Sequence, residues 1–217
     1  MRTFTLSGRL ALCASFVAED SRLADIGTDH AYLPIALLSD GKISSAVACD
    51  IAQGPLSRAE ENIRRYRMQD KIQARLSDGL RNVKRDEIDA VVIAGMGAEL
   101  IEKILSDCPY AKDERLSLIL QPMTRYESLV RWLFENGFSI ERQSAVTDQK
   151  KHYTVILARY TGETSSPSLL ACLLGKLDKT RAEDLAFLRH TLHRLKKQAI
   201  GDEAAAQVAR KLEEYLR

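Results

Sequence analysis

Two carboxylates and a glycine stand close together in the segment Asp25-Ile-Gly-Thr-Asp-His30, which follows an apolar run and precedes a helical pattern. At such a strand-to-helix turn, a glycine lets the backbone approach a ligand, and a carboxylate can bind an ammonium or hydroxyl group. A phosphate ligand does not suit the segment, because two carboxylates would repel it. A cationic amino-acid ligand such as S-adenosylmethionine fits these charges better. The alternative is a polar turn in which Asp29 only caps the next helix.

Acidic residues also end two later apolar runs. Asp50 stands 25 residues beyond Asp25, close to the spacing at which an acid binds the ribose hydroxyls of an adenosine ligand. The other interpretation of Asp50 is an exposed strand-end residue that caps the following helix. Asp78, in Ser77-Asp78-Gly79, could accept a hydrogen bond from an adenine amino group, although a type I turn explains Asp-Gly equally well.

The segment Gly95-Met-Gly-Ala-Glu-Leu100 matches half of the dinucleotide-binding pattern G-x-G-x-x-G. Leu100 occupies the third glycine position, and no acid ends the next apolar run, so nicotinamide dinucleotide is a weak prediction. The segment still provides a small backbone that a ligand can approach closely. We therefore expect it to line a crevice at the edge of a sheet.

These residues must be positioned by strands and helices, which the hydrophobic pattern predicts. The predicted strands are 23–26, 46–49, 72–76, 90–94 and 116–120, and the predicted helices are 32–39, 55–68, 98–106 and 125–136. Such alternation is typical of a parallel sheet with helices on both faces.

The alternation ends after residue 137. The runs Phe138–Val146 and Tyr153–Tyr160 are separated by six residues, too few for a crossover helix, so they are predicted to pair as an antiparallel hairpin. Five parallel strands followed by an antiparallel pair is the α/β, Rossmann-like sheet of the class I methyltransferases.

Methyltransferases that act on exocyclic amines of bases usually carry an Asn/Asp-Pro-Pro-aromatic segment after the fourth strand. This chain has none there, which favours a ring nitrogen as the target.

A stretch rich in Gly, Ser, Thr and Pro, residues 161–167, predicts a linker. It divides the chain into a predicted methyltransferase domain, 1–162, and a predicted tail, 163–217. Residues 165–217 carry 10 basic and 7 acidic side chains. Apolar residues at three-four spacing predict two tail helices, with Gly201 ending the first and Asp202 capping the second. We expect an antiparallel hairpin that resembles a short coiled coil.

The overall composition excludes several classes of protein. The chain has 217 residues, is 45% hydrophobic, and carries 32 basic against 30 acidic side chains, as an ordinary folded protein does. No apolar run reaches the roughly 18 to 20 residues that cross a bilayer. The apolar stretch Leu10–Ala18 lacks a signal-peptide cleavage pattern, so we expect a cytoplasmic protein. Scattered cysteines and histidines predict no disulfide framework and no metal site.

The chain resembles the bacterial tRNA (adenine-22-N1)-methyltransferases, which are Rossmann-like enzymes with a C-terminal coiled-coil domain. The resemblance runs through essentially the whole chain, on the segments Leu6-Ser-Gly-Arg-Leu10, Asp25-Ile-Gly-Thr-Asp-His-Ala-Tyr-Leu-Pro34, Ala48-Cys-Asp-Ile-Ala-Gln-Gly-Pro55, Ser77-Asp-Gly-Leu80, Ile93-Ala-Gly-Met-Gly97 and Leu120-Gln-Pro122. The ten-residue segment that begins at Asp25 is the most specific. Ser77 and Ala98 stand where the family typically has glycine, and residues 153–156 are less acidic than is usual.

This resemblance implies S-adenosylmethionine as the cofactor and N1 of adenine-22 in tRNA as the methyl acceptor. The N1 lone pair lies in the ring plane and attacks without prior loss of a proton, so catalysis needs in-line positioning and stabilisation of positive charge on the adenine. A carboxylate meets that need, which makes Asp29 the predicted catalytic residue. His30 lies beside it and is equally well explained as a structural imidazole.

The resemblance also implies a set of binding residues. Those expected to bind the cofactor are Asp25, Gly27 and Thr28 in the first turn, Asp50 and Ile51 at the ribose, Asp78 and Gly79 at the adenine ring, and Ala94, Gly95 and Met96 at the crevice floor. Those expected to contact tRNA are Arg9, Arg189, Arg194, Lys196 and Lys197. A solvated helical face is the alternative for the tail cations, because acidic residues share the hairpin.

Two other functional classes stay open, and we expect a monomer in each case. A methyltransferase that acts on another RNA, a protein or a small molecule would keep the cofactor residues without needing a basic tail. A non-enzymatic RNA-binding or partner-binding module would bind no S-adenosylmethionine.

Overall fold

A computed structural model describes residues 4–200 and 202–217 as an α/β fold. Its strands are β1 (Ser21–Ile26), β2 (Ile43–Asp50), β3 (Ile72–Leu76), β4 (Ala90–Met96), β5 (Ser117–Pro122), β6 (Phe138–Asp148) and β7 (Lys151–Tyr160). Its helices are α1 (Gly8–Phe16), α2 (Tyr32–Ser39), α3 (Gln53–Arg65), α4 (Ala98–Ser106), α5 (Tyr126–Glu135), α6 (Leu169–Leu174), α7 (Ala182–Gln198) and α8 (Glu203–Leu216).

The seven strands form one sheet in the order β3-β2-β1-β4-β5-β7-β6. The first five strands are parallel, and β7 pairs antiparallel with both β5 and β6. The predicted class I methyltransferase sheet is therefore confirmed. The strand order reverses at β1, which lies between β2 and β4, so a crevice opens there at the carboxyl edge of the sheet.

The central strands are apolar because both of their faces are buried. Residues 90–93 in β4 are each no more than 1% exposed. Val91 and Ile93 pack into one apolar cluster, while Ala90 and Val92 pack into the other on the opposite face. This alternation is the expected consequence of a period of two along a strand.

The connection between β6 and β7 is shorter than the pattern predicts. Both strands extend further, and only Gln149 and Lys150 separate them. Both residues have positive φ, at 48° and 64°, which is the conformation of a tight two-residue hairpin turn. The sequence lacks the Asn-Gly or Asp-Gly pair that usually indicates such a turn, so the prediction of six connecting residues is wrong.

The tail folds as two helices, α7 and α8, after a short helix, α6, that the sequence pattern did not predict. Asp202 caps α8 by accepting a hydrogen bond from the Ala205 N–H at 3.1 Å. Gly201, predicted to end α7, lies outside the described residues. The coiled-coil character of this hairpin and the division of the chain into two domains remain predictions.

The tail also packs closely against the sheet. Phe187 and Leu188 of α7 belong to the same apolar cluster as the strand residues of β4 and β5. Asp184 is 0% exposed and accepts hydrogen bonds from two backbone N–H groups, that of Ala145 in β6 at 2.6 Å and that of Asp178 at 3.1 Å. A buried carboxylate is retained only when it is bonded in this way, so α7 has a fixed position on β6.

Candidate active site

The turn after β1 is anchored to the neighbouring strand by its backbone. The N–H groups of Gly27 and Thr28 both donate to the Cys49 carbonyl at the end of β2, each at 2.8 Å. The buried Thr28 hydroxyl accepts a hydrogen bond from the Ala31 N–H at 3.2 Å. These bonds hold the turn against the end of β2.

Asp25 lies at the end of β1 and is 8% exposed. Burial raises the pKa of its carboxyl group to about 6, against a smaller lowering by the Thr28 hydroxyl and with a further raising by Asp50. A buried carboxylate gains most from a cationic ligand, because the ligand compensates for the lost hydration. Asp25 therefore fits the ammonium group of S-adenosylmethionine.

The floor of the crevice is the end of β4. Gly95 has a φ of 80°, and its N–H donates to the Gln121 side-chain oxygen at 3.0 Å. The Met96 carbonyl accepts from the Met123 N–H at 2.7 Å, and the Met96 side chain crosses toward Gly27. The Met96 side chain thus reaches the turn after β1, and the assignment of Ala94, Gly95 and Met96 to the cofactor stays a prediction.

Arg9 reaches this floor from α1. Its guanidinium donates to the same Gln121 oxygen at 3.2 Å, and its Nη1 atom would lie 3.3 Å from a Cβ on Gly95. Gln121 is 0% exposed and holds both groups. The predicted contact of Arg9 with tRNA stays a prediction, and the Arg9 side chain lies at the floor of the crevice.

The two other predicted strand-end acids also lie at the carboxyl edge. Asp50 accepts a hydrogen bond from the Ala52 N–H at 2.8 Å, so it caps the backbone before α3, and the neighbouring Ile51 is 68% exposed. Asp78 forms an ion pair with Arg81 at 3.1 Å. The Arg81 N–H donates to the Asp78 carbonyl at 3.3 Å, so Asp78–Arg81 is a turn, but the φ of 59° at Gly79 shows that it is not the predicted type I turn. These contacts are all within the protein, so the binding roles of Asp50 and Asp78 stay predictions.

Asp29 lies at the exposed tip of the turn and is not isolated. The Arg58 guanidinium of α3 pairs with it, with the Arg58 Nε atom 3.2 Å from an Asp29 oxygen. His30 Nε2 lies 3.3 Å from the other oxygen, and the His30 ring stacks on Tyr32 at 5.0 Å. Sequence reasoning missed Arg58, because nothing in its position along α3 marks it as a partner of a residue 29 positions earlier.

The predicted tail cations lie apart from this turn. Arg194 pairs with Glu127 of α5 at 2.9 Å, and Lys196 pairs with Glu213 of α8 at 2.8 Å. Arg189 and Lys197 are exposed on α7. The structure therefore places the predicted cofactor residues at one sheet edge, while four of the five predicted tRNA contacts lie on α7 and the fifth, Arg9, lies at the crevice.

Three further features concern metals, thiols and membranes. Within residues 4–200 and 202–217, no three His, Cys, Asp or Glu side chains form a group that could hold a metal ion. The four cysteines are buried as free thiols. Over those same ranges, no helix is both long and apolar enough to cross a membrane.

The sheet order and the crevice residues define a class I methyltransferase. The family model described as "Methyltransferase domain" matches residues 6–156. A solved structure of Streptococcus pneumoniae Sp1610 in complex with S-adenosyl-L-methionine has a TM-score of 0.88 and 30% identity, and the match covers 98% of this chain and 100% of that chain.

Two further relatives carry a printed function. A tRNA (adenine(22)-N(1))-methyltransferase from Bacillus subtilis (strain 168) is 34% identical over 158 residues, which are 73% of this chain and 66% of that protein. The structure of M. capricolum TrmK, solved with S-adenosyl-homocysteine, has a TM-score of 0.82 and 27% identity, covering 99% of this chain and 98% of that chain. The chain belongs to the family of bacterial tRNA (adenine-22-N1)-methyltransferases.

Proposed function

We propose that this protein transfers a methyl group from S-adenosylmethionine to N1 of adenine-22 in tRNA, as a cytoplasmic monomer. The observation that carries the proposal is the turn after β1, where a buried carboxylate adjoins a glycine of positive φ in a chain of this family. A methyltransferase acting on another RNA, a protein or a small molecule is the alternative.

The residues of the crevice fit S-adenosylmethionine by their chemistry. Asp25 offers a buried carboxylate to an ammonium group, and Gly27 adopts a φ of 77° that shapes the turn beside it and lets Met96 pack against the backbone. Asp50 and the exposed Ile51 are assigned to the ribose, Asp78 and Gly79 to the adenine ring, and Thr28, Ala94, Gly95 and Met96 to the remaining walls. When bound, the cofactor supplies an electrophilic methyl group on a sulfonium.

Asp29 is proposed to stabilise the positive charge that develops on the target adenine. The N1 atom needs no general base, so the protein must mainly position the ring and provide negative charge. Arg58 and His30 hold the Asp29 carboxylate at the tip of the turn. Arg58 also offsets part of the negative charge, so the role assigned to Asp29 is orientation together with stabilisation.

The RNA must expose the Watson–Crick edge of adenine-22 before N1 can react. Unstacking the base costs a few kcal/mol, which contacts with phosphates recover. Arg9 at the crevice and Arg189, Arg194, Lys196 and Lys197 on α7 are proposed to supply those contacts.

The test is methyl transfer from labelled S-adenosylmethionine to unmodified tRNA and to the same tRNA with guanine at position 22. The proposal expects label in the first RNA and none in the second. Binding of the cofactor without methylation of either tRNA would leave the methyltransferase class standing and would overturn the assigned substrate.

A further inference from the structure

A second cavity, of about 280 Å³, lies beside the crevice where the chain leaves β5. We call it the histidine pocket. Its lining residues are Pro122, Met123, Thr124, Arg125, Tyr126, His152, Tyr153, Thr154, Phe187, His190, Thr191 and Arg194. Its volume lies near the lower end of the range for small-molecule sites, about 300 to 1,000 Å³. A site of this size takes a small group and not a folded segment.

The walls of the histidine pocket are basic. Arg125, His152, His190 and Arg194 contribute to the lining, and none of the described lining residues is acidic. Each arginine is paired with a glutamate outside the lining, Arg125 with Glu99 at 2.6 Å and Arg194 with Glu127 at 2.9 Å. The two imidazole rings lie 5.2 Å apart. Burial, followed by the positive charges of His152 and Arg194, lowers the pKa of His190, so a bound anion would raise that pKa and favour the protonated ring.

Helix periodicity explains why one face of α7 supplies this wall. Phe187, His190, Thr191 and Arg194 recur at three-four spacing and therefore share a face. Arg189 falls on another face, while Lys197 lies on nearly the same face as His190 but three residues beyond Arg194, past the pocket. The structure thus distinguishes two basic residues of α7 that line the pocket, His190 and Arg194, from four that do not, which are Arg189, His193, Lys196 and Lys197.

The histidine pocket continues directly from the crevice floor. The Thr124 hydroxyl would lie 3.3 Å from a Cβ on Gly97, and the Met123 N–H donates to the Met96 carbonyl at 2.7 Å. A ligand held in the pocket therefore lies one strand away from the predicted methyl-transfer site, along the edge from β4 to β5.

We propose that the histidine pocket binds a backbone phosphate of the RNA adjacent to the methylated nucleotide. This inference rests on the proposed function, because it needs an RNA substrate in the crevice. The reacting adenine itself does not suit the pocket, since a ring that gains positive charge is destabilised among four basic side chains. A phosphate gains charge-assisted hydrogen bonds from the same groups.

The test measures the affinity of the full-length protein for labelled, unmodified tRNA, without cofactor, by fluorescence anisotropy. The tRNA carries either natural phosphates or a single neutral methylphosphonate at one linkage flanking adenine-22. The variants are His190→Ala and, as a matched control, His193→Ala. His193 is exposed on the same helix and does not line the pocket.

For wild-type protein and His193→Ala, neutralising one flanking linkage should raise the Kd about tenfold, the loss expected for a charge-assisted hydrogen bond. His190→Ala should raise the Kd for natural tRNA by a similar factor and should be insensitive to that linkage. Thermal unfolding of both variants checks that each is folded.

Three outcomes would overturn the inference: equal effects of the two histidine variants, full sensitivity of His190→Ala to the neutral linkage, or no binding of tRNA by the wild-type protein. Methyl transfer measured on the same samples separates this result from the proposed function. If adenine-22 is methylated but His190→Ala remains sensitive to the neutral linkage, only the role of the histidine pocket is rejected. If His190→Ala loses that sensitivity but adenine-22 is not methylated, only the proposed reaction is rejected.

Discussion

The Cε atom of Met96 lies so close to Gly27 that a Cβ there would clash with it, which packs the end of β4 against the turn after β1. Gly27 also has a φ of 77°, which disfavours other residues. The contact with Met96 and the positive φ each make a larger residue at position 27 unfavourable. Substitution would strain the backbone and would also displace the Met96 side chain from the predicted cofactor site.

Gly27→Ala should therefore weaken binding of S-adenosylmethionine by at least about tenfold, through the displaced Met96 and the shifted turn. Isothermal titration calorimetry checks the affinity. Gly41→Ala is a matched control, because Gly41 also has a positive φ, 70°, and no atom lies within 4 Å of its added Cβ. A Gly27→Ala protein that binds the cofactor as tightly as the Gly41→Ala protein would contradict the assigned role of the turn.

Asp25→Asn should change stability and cofactor affinity in opposite directions. The folded pKa of about 6 lies above the ordinary value of 3.8, so the contribution of Asp25 to stability is full below about pH 4 and is lost as the pH rises through 6. The shift corresponds to about 3 kcal/mol. At pH 7.5 the cofactor-free Asn variant should be more stable than wild type toward urea.

The same variant should bind S-adenosylmethionine at least about tenfold more weakly, because it lacks the charge that pairs with the ammonium group. Wild-type affinity should also fall as the pH drops below 6, whereas the affinity of Asp25→Asn should not follow that curve. Equal affinities for wild type and variant across this pH range would show that Asp25 does not bind the cofactor.

Asp29→Asn should lower kcat about 100-fold if its charge stabilises the methylated adenine, while the Kd for S-adenosylmethionine stays unchanged. Arg58→Gln keeps the carboxylate and loses its partner, so kcat should fall by less than about tenfold. Single-turnover methyl transfer at saturating tRNA distinguishes the two. Equal losses in both variants would assign the effect to the position of the turn and not to the Asp29 charge.

Gln121→Leu should reduce both stability and turnover. It leaves the Gly95 N–H and the Arg9 guanidinium without their shared acceptor, at a cost of about 1 kcal/mol for each bond, because both groups are partly exposed to water. Gln143→Leu is the control, because Gln143 is also buried and accepts from the Lys176 N–H far from the crevice. Only Gln121→Leu should lower methyl transfer per folded molecule, with the folded fraction measured by circular dichroism.

Much of the fold could be predicted because its signals are local. The apolar runs at 72–76 and the helical patterns at 32–39 and 98–106 coincide with β3, α2 and α4. Helix α6 was missed, since Leu169–Leu174 is a short run that is too apolar to show a helical period. The packing of α7 on β6 was not predictable either, because it depends on Asp184 bonding to backbone 39 residues earlier.

The candidate site also has some features that the sequence predicts and others that it does not. The turn after β1 was predictable, because a glycine and its flanking acids lie next to each other in the sequence. The pairing of Asp29 with Arg58 and the contact of Arg9 with Gly95 join residues far apart in the chain. Side-chain contacts of that kind leave no periodic pattern, so only the structure shows them.

The central claim is methylation of N1 of adenine-22, and mapping the modified nucleotide tests it most directly. Unmodified tRNA is incubated with the protein and S-adenosylmethionine and digested with a ribonuclease, and the fragment containing position 22 is sequenced by mass spectrometry. The account predicts 1-methyladenosine at position 22 and no added methyl group in a tRNA with guanine there. A methyl group elsewhere in the RNA, or none despite measurable binding of the cofactor, would contradict it.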